Sequence, residues 1–446
     1  MTSFTRMLTL AREYPTIAIS LLMILSLISI SIYAMITIPL SEAIEVWNDD
    51  DLNGVWRNTP QVAPPTWTNL FRREDLPETI TLQVDDFESM AEAVSDSVWR
   101  ETILLTFDYQ ALGFPSEVKF RYDMSVGPKR PLVTLTWIKP DGNQIVLLKS
   151  AEPGGESRLK IDPVEAFEDV GWTASYIDST RSGDGSRRRA LRGQYGLRIE
   201  ALLFDEPTFS IDGEIVVYGG VHGVAGTDRT RRDLAIGLLW GTPIALMIGL
   251  IAAAGTTIFG FIAAAIGSWF GGWVDATIQR LTEVSMMIPF LPTILMVGMF
   301  YSSSIWVMLA VIIGFGLFSG SLKTYRAMFL QVSQSPYVEA ARAYGASNMR
   351  IIFRYLIPRM IPALLPPLVL GIPRVVYLEA SLALLGLSDP LLPTWGKVLS
   401  EARHALYMGH YHWVLSPAFM LLFTGTSFSM LGYALDRIFN PRLRDR

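Results

Sequence analysis

The segment Ser335-Pro-Tyr-Val-Glu-Ala-Ala-Arg-Ala-Tyr-Gly-Ala-Ser347 combines a proline, an acid, two small residues and a glycine in an order that suits recognition rather than bond-making. Pro336 can open a helix, because the first turn does not need its missing N–H. Glu339 then lies near the helix N-terminus, where the peptide dipoles favour an anion. Ala340 and Ala341 leave a surface that another protein can approach closely. Gly345 can end this helix in a left-handed turn. A second helix, Ser347 to Ile357, is expected to stop at Pro358. Two short helices joined at a glycine make a compact projection, although an amphipathic loop lying on a bilayer fits the same composition.

Other groups with chemical capacity are few. Glu379 and Arg374 fall inside an apolar run, where an ionisable residue is a functional candidate by default. A structural hydrogen bond at a helix break is the plainer reading of Glu379, and the five-residue spacing to Arg374 is poor for pairing on one helix. His404, His410 and His412 could offer imidazoles to a metal, but no acid alternates with them. Tyr411 and Trp413 suggest an interfacial belt instead, so no metal site is expected. Met286, Met287 and Met296 read as apolar packing. Cysteine is absent. There is no phosphate-cradling Gly-x4-Gly-Lys-Ser/Thr run, no His-Glu-x-x-His and no nucleophile elbow, so no catalytic residue is assigned and no cofactor is expected on this chain.

The elements that carry these residues are largely apolar. The 446-residue chain is 50% hydrophobic and only 18% charged, with a mean hydropathy of +0.32, which excludes disorder, collagen and coiled coil and points to a membrane. Residues 41–228 hold 32 acids and 18 bases, whereas the rest holds 10 acids and 19 bases. The basic part is also the apolar part. That partition reads as a membrane body with basic cytoplasmic loops and an acidic domain on the other side. The bases are spread over short loops, so no nucleic-acid partner is implied.

Ile17 to Ile38 is uncharged over 22 residues and follows Arg6 and Arg12. Lacking a small-residue cleavage site, it reads as an uncleaved span with a cytoplasmic N-terminus. Leu234 to Val274 is uncharged over 41 residues. It is read as one long helix to about Ser268 with an interfacial turn at Gly271-Gly272. Tyr301-Ser-Ser-Ser304 divides Val284 to Leu322 into two spans. Ile361 to Leu387, bent or broken by Pro366-Pro367 and Pro373, and Trp413 to Leu435 bring the expected number to six. Six spans place Lys323 to Arg359, with six bases against Glu339, on the cytoplasmic side together with Arg437, Arg442, Arg444 and Arg446. Seven would reverse this.

Residues 41–228 are large enough for a domain of their own. Asp49-Asp-Asp51 and Thr59 to Pro65 read as a linker or extended arm. Asp85 to Glu101 has mixed helical spacing. Glu117 to Met124, Pro131 to Ile138, Asn143 to Ser150, Leu197 to Phe204 and Glu214 to Tyr218 are strand-like, with a turn at Pro140-Asp-Gly-Asn143. Arg181 to Arg189 reads as a mobile surface loop. An α+β domain without a catalytic constellation is expected.

The order Glu339-Ala-Ala, three residues, Gly345, and Ile357-Pro358 about a dozen residues later resembles the EAA motif of ABC-importer permeases. Further runs narrow the likeness to the second-permease type of the dipeptide/oligopeptide/nickel family. They are Gly226-Thr-Asp228 with Arg232-Asp233, Gly271-Gly-Trp-Val-Asp275, Leu378-Glu-Ala-Ser-Leu382 with Leu385-Gly386, and Pro393-Thr-Trp-Gly396. The likeness covers the first span and about residues 222–441. Two positions depart from the family pattern: Arg231 stands where glycine is usual, and Tyr355 stands where histidine is common. The 41–228 insertion departs more, since that segment is commonly short.

The resemblance implies a mainly α, six-helix type I importer permease. Its organisation would be residues 1–40 as N-terminus and first helix, 41–228 as the extracytoplasmic insertion, and 229–446 as a five-helix core with the coupling loop at about 335–358. It implies a coupling helix docking into an ATPase through Tyr337, Glu339, Ala340, Ala341, Arg342, Gly345 and Ala346. Arg374, Glu379 and Ser381 are the pathway candidates. The implied partners are a homologous permease, two ATPase subunits that bind ATP and magnesium, and an external substrate-binding protein in a prokaryotic plasma membrane. The implied cargo is a peptide, with oligosaccharides and nickel chelates as alternatives. A membrane-anchored receptor whose outer domain binds ligand is the rival from another class, and an ion-coupled transporter is disfavoured by the lack of paired intramembrane acids.

Overall fold

Largely alternating apolar and polar residues build one of the two units into which the chain divides, Asp49–Ala235; the other is Met1–Asn48 with Ile236–Arg446. The computed structural model describes residues 15–49, 54–72, 75–84, 89–95, 98–126, 130–151, 155–167, 190–204 and 209–439. The proposed loop Arg181 to Arg189 and residues Asp50 and Asp51 lie outside them.

Among the described residues, nine antiparallel strands make two sheets in the Asp49–Ala235 unit. They are β1 (Ile80–Gln83), β2 (Ser89–Ser95), β3 (Val98–Tyr109), β4 (Glu117–Val126), β5 (Leu132–Ile138), β6 (Gln144–Ala151), β7 (Gly155–Ile161), β8 (Gly193–Phe204) and β9 (Phe209–Tyr218). One sheet has the order β1-β9-β4-β7 and the other β2-β3-β8-β5-β6. Their inner faces share one core. Val118, Phe120, Tyr122 and Met124 of β4 are buried in the same cluster as Leu105 and Phe107 of β3 and Trp137 of β5. Phe167 and Tyr195 stack at 4.5 Å between ring centroids inside it. A period-2 pattern with one face buried fixes strand register, since a one-residue slip would expose the whole apolar set.

The helical reading of Asp85 to Glu101 is corrected: its described residues form β2 and the start of β3, paired from Ser89↔Ile103 to Ser95↔Val98. Cross-strand pairing outweighs the weak helical spacing of an exposed seven-residue segment. Strand also dominates this unit more than the α+β expectation implied. Its described α-helical piece before residue 234 is the five-residue α3 (Pro163–Phe167).

The other unit is helical. It comprises α1 (Pro15–Thr37), α2 (Leu40–Trp47), α4 (Leu234–Phe270), α5 (Gly272–Met287), α6 (Phe290–Phe300), α7 (Ile305–Leu317), α8 (Gly320–Ser333), α9 (Pro336–Ala343), α10 (Asn348–Ile351), α11 (Ile357–Leu384), α12 (Trp395–Glu401) and α13 (Tyr411–Phe439). Among the described residues, four stretches are long and apolar enough to cross a bilayer: α1, α4, Asn348–Leu384 and α13. Two bent pairs, α5 with α6 at 76° and α7 with α8 at 41°, raise the number to six if each is one span. The bends fall at Ile288-Pro289 and Phe318-Ser319, where proline or a polar residue interrupts the hydrogen-bond ladder.

A second correction concerns Pro358. The helix does not stop there; it runs on from α10 through a π-helical turn, Ile352–Leu356, into α11. A proline ring normally collides with the carbonyl four residues earlier. The wider π turn immediately before it relieves that collision and carries the chain through.

Candidate functional site

An eight-residue helix is too short to persist alone in water, so α9 must be held by packing. Ser335 precedes it and Pro336 sits in its first turn with Glu339. Val338 is 2% exposed and packs in a cluster with Phe261 and Ala265 of α4, Phe329 of α8 and Ile351 of α10. Ala341 is also buried. That corrects its place on the approach surface: Ala341 faces the helix's own scaffold, and Ala340 is the exposed small residue. Tyr337, Glu339, Arg342 and Tyr344 are exposed beside Ala340. The Arg342 guanidinium lies over the Trp269 ring, 4.8 Å from its centroid, tying α9 to the end of α4. Gly345 has φ +77°, a conformation that costs an L side chain strain but not glycine. The Ala346 amide then donates to the Ala341 carbonyl at 3.1 Å, closing the helix end. Elsewhere in the unit, the half-buried Arg326 of α8 grips Asp275 of α5 with two hydrogen bonds of 2.7 and 2.5 Å.

A cavity of about 700 Å³ opens among α4, the α5–α6 bend, the α7–α8 bend and α11. Arg374 is its sole charged lining residue; Thr256, Ser285, Ser319 and Tyr325 give it polar points. Among the described residues no ion pair joins Arg374 to Glu379. Neither Glu379 nor Ser381 lines this cavity. The Ser381 hydroxyl donates to the Tyr377 carbonyl one turn back, at 2.7 Å.

Glu379 instead accepts a 2.7 Å hydrogen bond from the Thr394 hydroxyl. A Cβ on Gly396 would sit 2.7 Å from its Oε2, so only glycine lets the chain approach the carboxylate so closely. Trp395 is buried and donates its indole N–H to the Leu238 carbonyl of α4 at 3.0 Å. Leu378-Glu-Ala-Ser-Leu382 and Pro393-Thr-Trp-Gly396 are thus one structural tie between α11, α12 and α4. Asp389, which sequence reasoning passed over, is buried and accepts from the Ile305 amide at 2.9 Å, holding the start of α7. An isolated acid in a Pro-rich loop carries no local signal of that partner.

The run before α4 is equally built. Thr227 and Asp228 are fully buried. Asp228 accepts from the Arg232 guanidinium at 2.6 Å and from the amides of Thr230 and Arg232. Asp233 caps α4 by accepting from the Ala235 amide at 2.8 Å. Arg231, where the likeness led us to expect glycine, has φ +68°. A non-glycine residue there carries backbone strain of about 1–3 kcal/mol. Its guanidinium donates to Glu117 at 2.5 Å and to the Thr59 carbonyl at 2.6 Å.

Residues 256–445 match the family of binding-protein-dependent transport system inner membrane components. That part of the chain is similar to permease components of this type. The likeness to peptide permeases carried by the motifs is borne out. The dipeptide transport system permease protein DppC of Bacillus subtilis (strain 168) is 27% identical over 220 residues, 49% of this chain and 68% of that protein. The oligopeptide transport system permease protein OppC of the same strain is 27% identical over 221 residues, 49% of this chain and 72% of that one. The peptidoglycan transport system permease protein YejE of Agrobacterium fabrum (strain C58) is 30% identical over 219 residues, 49% and 56%.

Proposed function

We propose that the chain is a membrane subunit of an ATP-driven importer that moves peptides delivered by an external binding protein. Six spans, counting each bent pair as one, would place both termini and the α9 projection in the cytoplasm and Asp49–Ala235 outside. A homologous permease would complete the pathway, and two ATPase subunits would supply the energy. The observation that carries the reading is α9 itself. It is anchored from within by Val338 and Ala341 and presents Tyr337, Glu339, Ala340 and Arg342 outward. A small rigid helix rooted in two spans can pass a push from a bound protein into the bundle, shifting the balance between inward- and outward-open states. The cavity at Arg374 is the proposed pathway on this chain. A guanidinium in a weakly polar cavity suits the carboxylate of a peptide better than a neutral oligosaccharide.

The test is co-purification. The tagged chain, extracted gently from its native membrane, is expected to bring ATPase subunits and a second permease, as identified by mass spectrometry. Changing Glu339→Lys with Tyr337→Ala is expected to release the ATPases but keep the second permease. Recovery of the chain alone, under conditions that keep comparable complexes intact, would overturn the importer reading and favour a receptor.

A further inference from the structure

The outward face of the four-stranded sheet carries an arrangement that folding alone disfavours. In the β4–β7 register Lys119 stands opposite Lys160, and Arg121 stands opposite Arg158. Like charges directly across a strand pair repel. Here two such pairs lie side by side on one face, in a segment whose overall charge is strongly negative. The short turn at Val55–Asn58 and the strained Arg231 also border this face. Together they enclose a cavity of about 340 Å³, to which Arg57, Arg229 and Arg231 add their charges.

Among the described residues, two acids behind the lining, Glu117 and Glu214, engage five of these bases. Glu117 is shared by Lys119 at 3.1 Å, Lys160 at 3.2 Å and Arg231 at 2.5 Å. Glu214 is shared by Arg57 at 3.3 Å and Arg121 at 2.8 Å. Among the described residues that line it, Asp49 is the one acid. Burial, with Arg231 and Lys160 nearby, holds the Lys119 ammonium below its ordinary pKa despite the Glu117 contact. The Tyr218 ring forms a wall, with the Arg231 guanidinium 4.4 Å and the Lys119 ammonium 5.4 Å from its centroid. The cavity is at the small end of ligand sites.

We propose that this cavity in the Asp49–Ala235 unit is a binding site for a small oxyanion, a molecule bearing carboxylate or phosphate groups. Guanidinium forks match both groups bidentately. A bound multivalent anion would relieve the repulsion between the cross-strand pairs and repay the strain at Arg231. The site is independent of the importer reading.

The full chain in zwitterionic-lipid nanodiscs is titrated calorimetrically with citrate and with inorganic phosphate, each against chloride at matched ionic strength. Saturable one-site binding of at least one probe is expected. Citrate alone would assign a carboxylate ligand, phosphate alone a phosphate ligand. Lys160→Glu and, separately, Arg229→Glu are expected to weaken binding about tenfold or more. Lys149→Glu, an equal charge change on β6 of the other sheet, is expected to leave it unchanged. Arg229 contributes to neither acid's ion pairs in the structure, so that variant tests the site even if Lys160→Glu disturbs the fold. No saturable binding above chloride, or equal weakening by Lys149→Glu, overturns the proposal.

Discussion

Replacing Val338 by alanine should loosen the coupling helix without unfolding the bundle. The side chain is 2% exposed and packs among Phe261, Phe329 and Ile351. Alanine removes two carbon groups from this contact, worth about 1.6 kcal/mol of transfer free energy at ~0.8 kcal/mol each. Incomplete closure of the space left behind adds roughly another 1 kcal/mol. Because α9 is eight residues long, it has little stability of its own to draw on. A local loss of about 2–3 kcal/mol then raises its opening equilibrium roughly 30- to 150-fold. Hydrogen exchange read by mass spectrometry should show that acceleration in peptides covering residues 336–343, with α4 and α13 unchanged. The Ala340→Gly variant is the control for helix propensity, with an expected cost of about 1 kcal/mol. Unchanged exchange across 336–343 in the Val338→Ala protein would refute the idea that tertiary anchoring holds this helix.

Three further outcomes follow from the same geometry. Burial works to raise the Glu117 carboxyl, but hydrogen bonds from Arg231, Lys119 and Lys160 outweigh it and hold the pKa below its ordinary value. A depressed folded-state value contributes stability that is full above the ordinary glutamate range near ~4.3 and is lost as pH falls from there through the lower folded-state value. Calorimetric unfolding of the β unit should therefore weaken between pH ~5 and ~3, and Glu117→Gln should flatten that dependence. A double-mutant cycle on Asp275→Ala and Arg326→Ala should give a coupling of about 1 kcal/mol, reduced from a buried bidentate pair by partial exposure of the arginine; thermal unfolding of the four proteins measures it. Arg374→Ala should cut uptake of free-carboxylate peptides about tenfold and spare C-terminally amidated ones, as radiolabelled uptake in proteoliposomes would show; equal loss for both would remove Arg374 from substrate contact.

Much of the helical unit was legible because its signals are local. Uncharged runs marked where helices can cross a bilayer, and a serine run marked the break between Phe300 and Ile305. Pro336, Glu339 and Gly345 announced a short helix and its end, because capping and left-handed turns depend on a residue and its near neighbours. Five of the strands from Glu117 onward were visible as alternating or β-rich runs for the same reason, whereas β7 (Gly155–Ile161), short and rich in charge, was not. What composition could not reveal was partnership. Glu379 read as a functional candidate or, more plainly, a hydrogen bond at a helix break, but its partners Thr394 and Gly396, on the far side of a loop, could not be named. Pro358 read as a stop until the π turn before it appeared. Lys119, Arg121, Arg158 and Lys160 look like ordinary alternating surface residues in two separate strands. Antiparallel pairing sets them face to face, and the covering turn and Arg231 make a cavity of them. Local sequence determined which elements form, since backbone preference is a short-range property. Tertiary structure alone decided which charges meet, since that energy is shared between residues far apart in the chain.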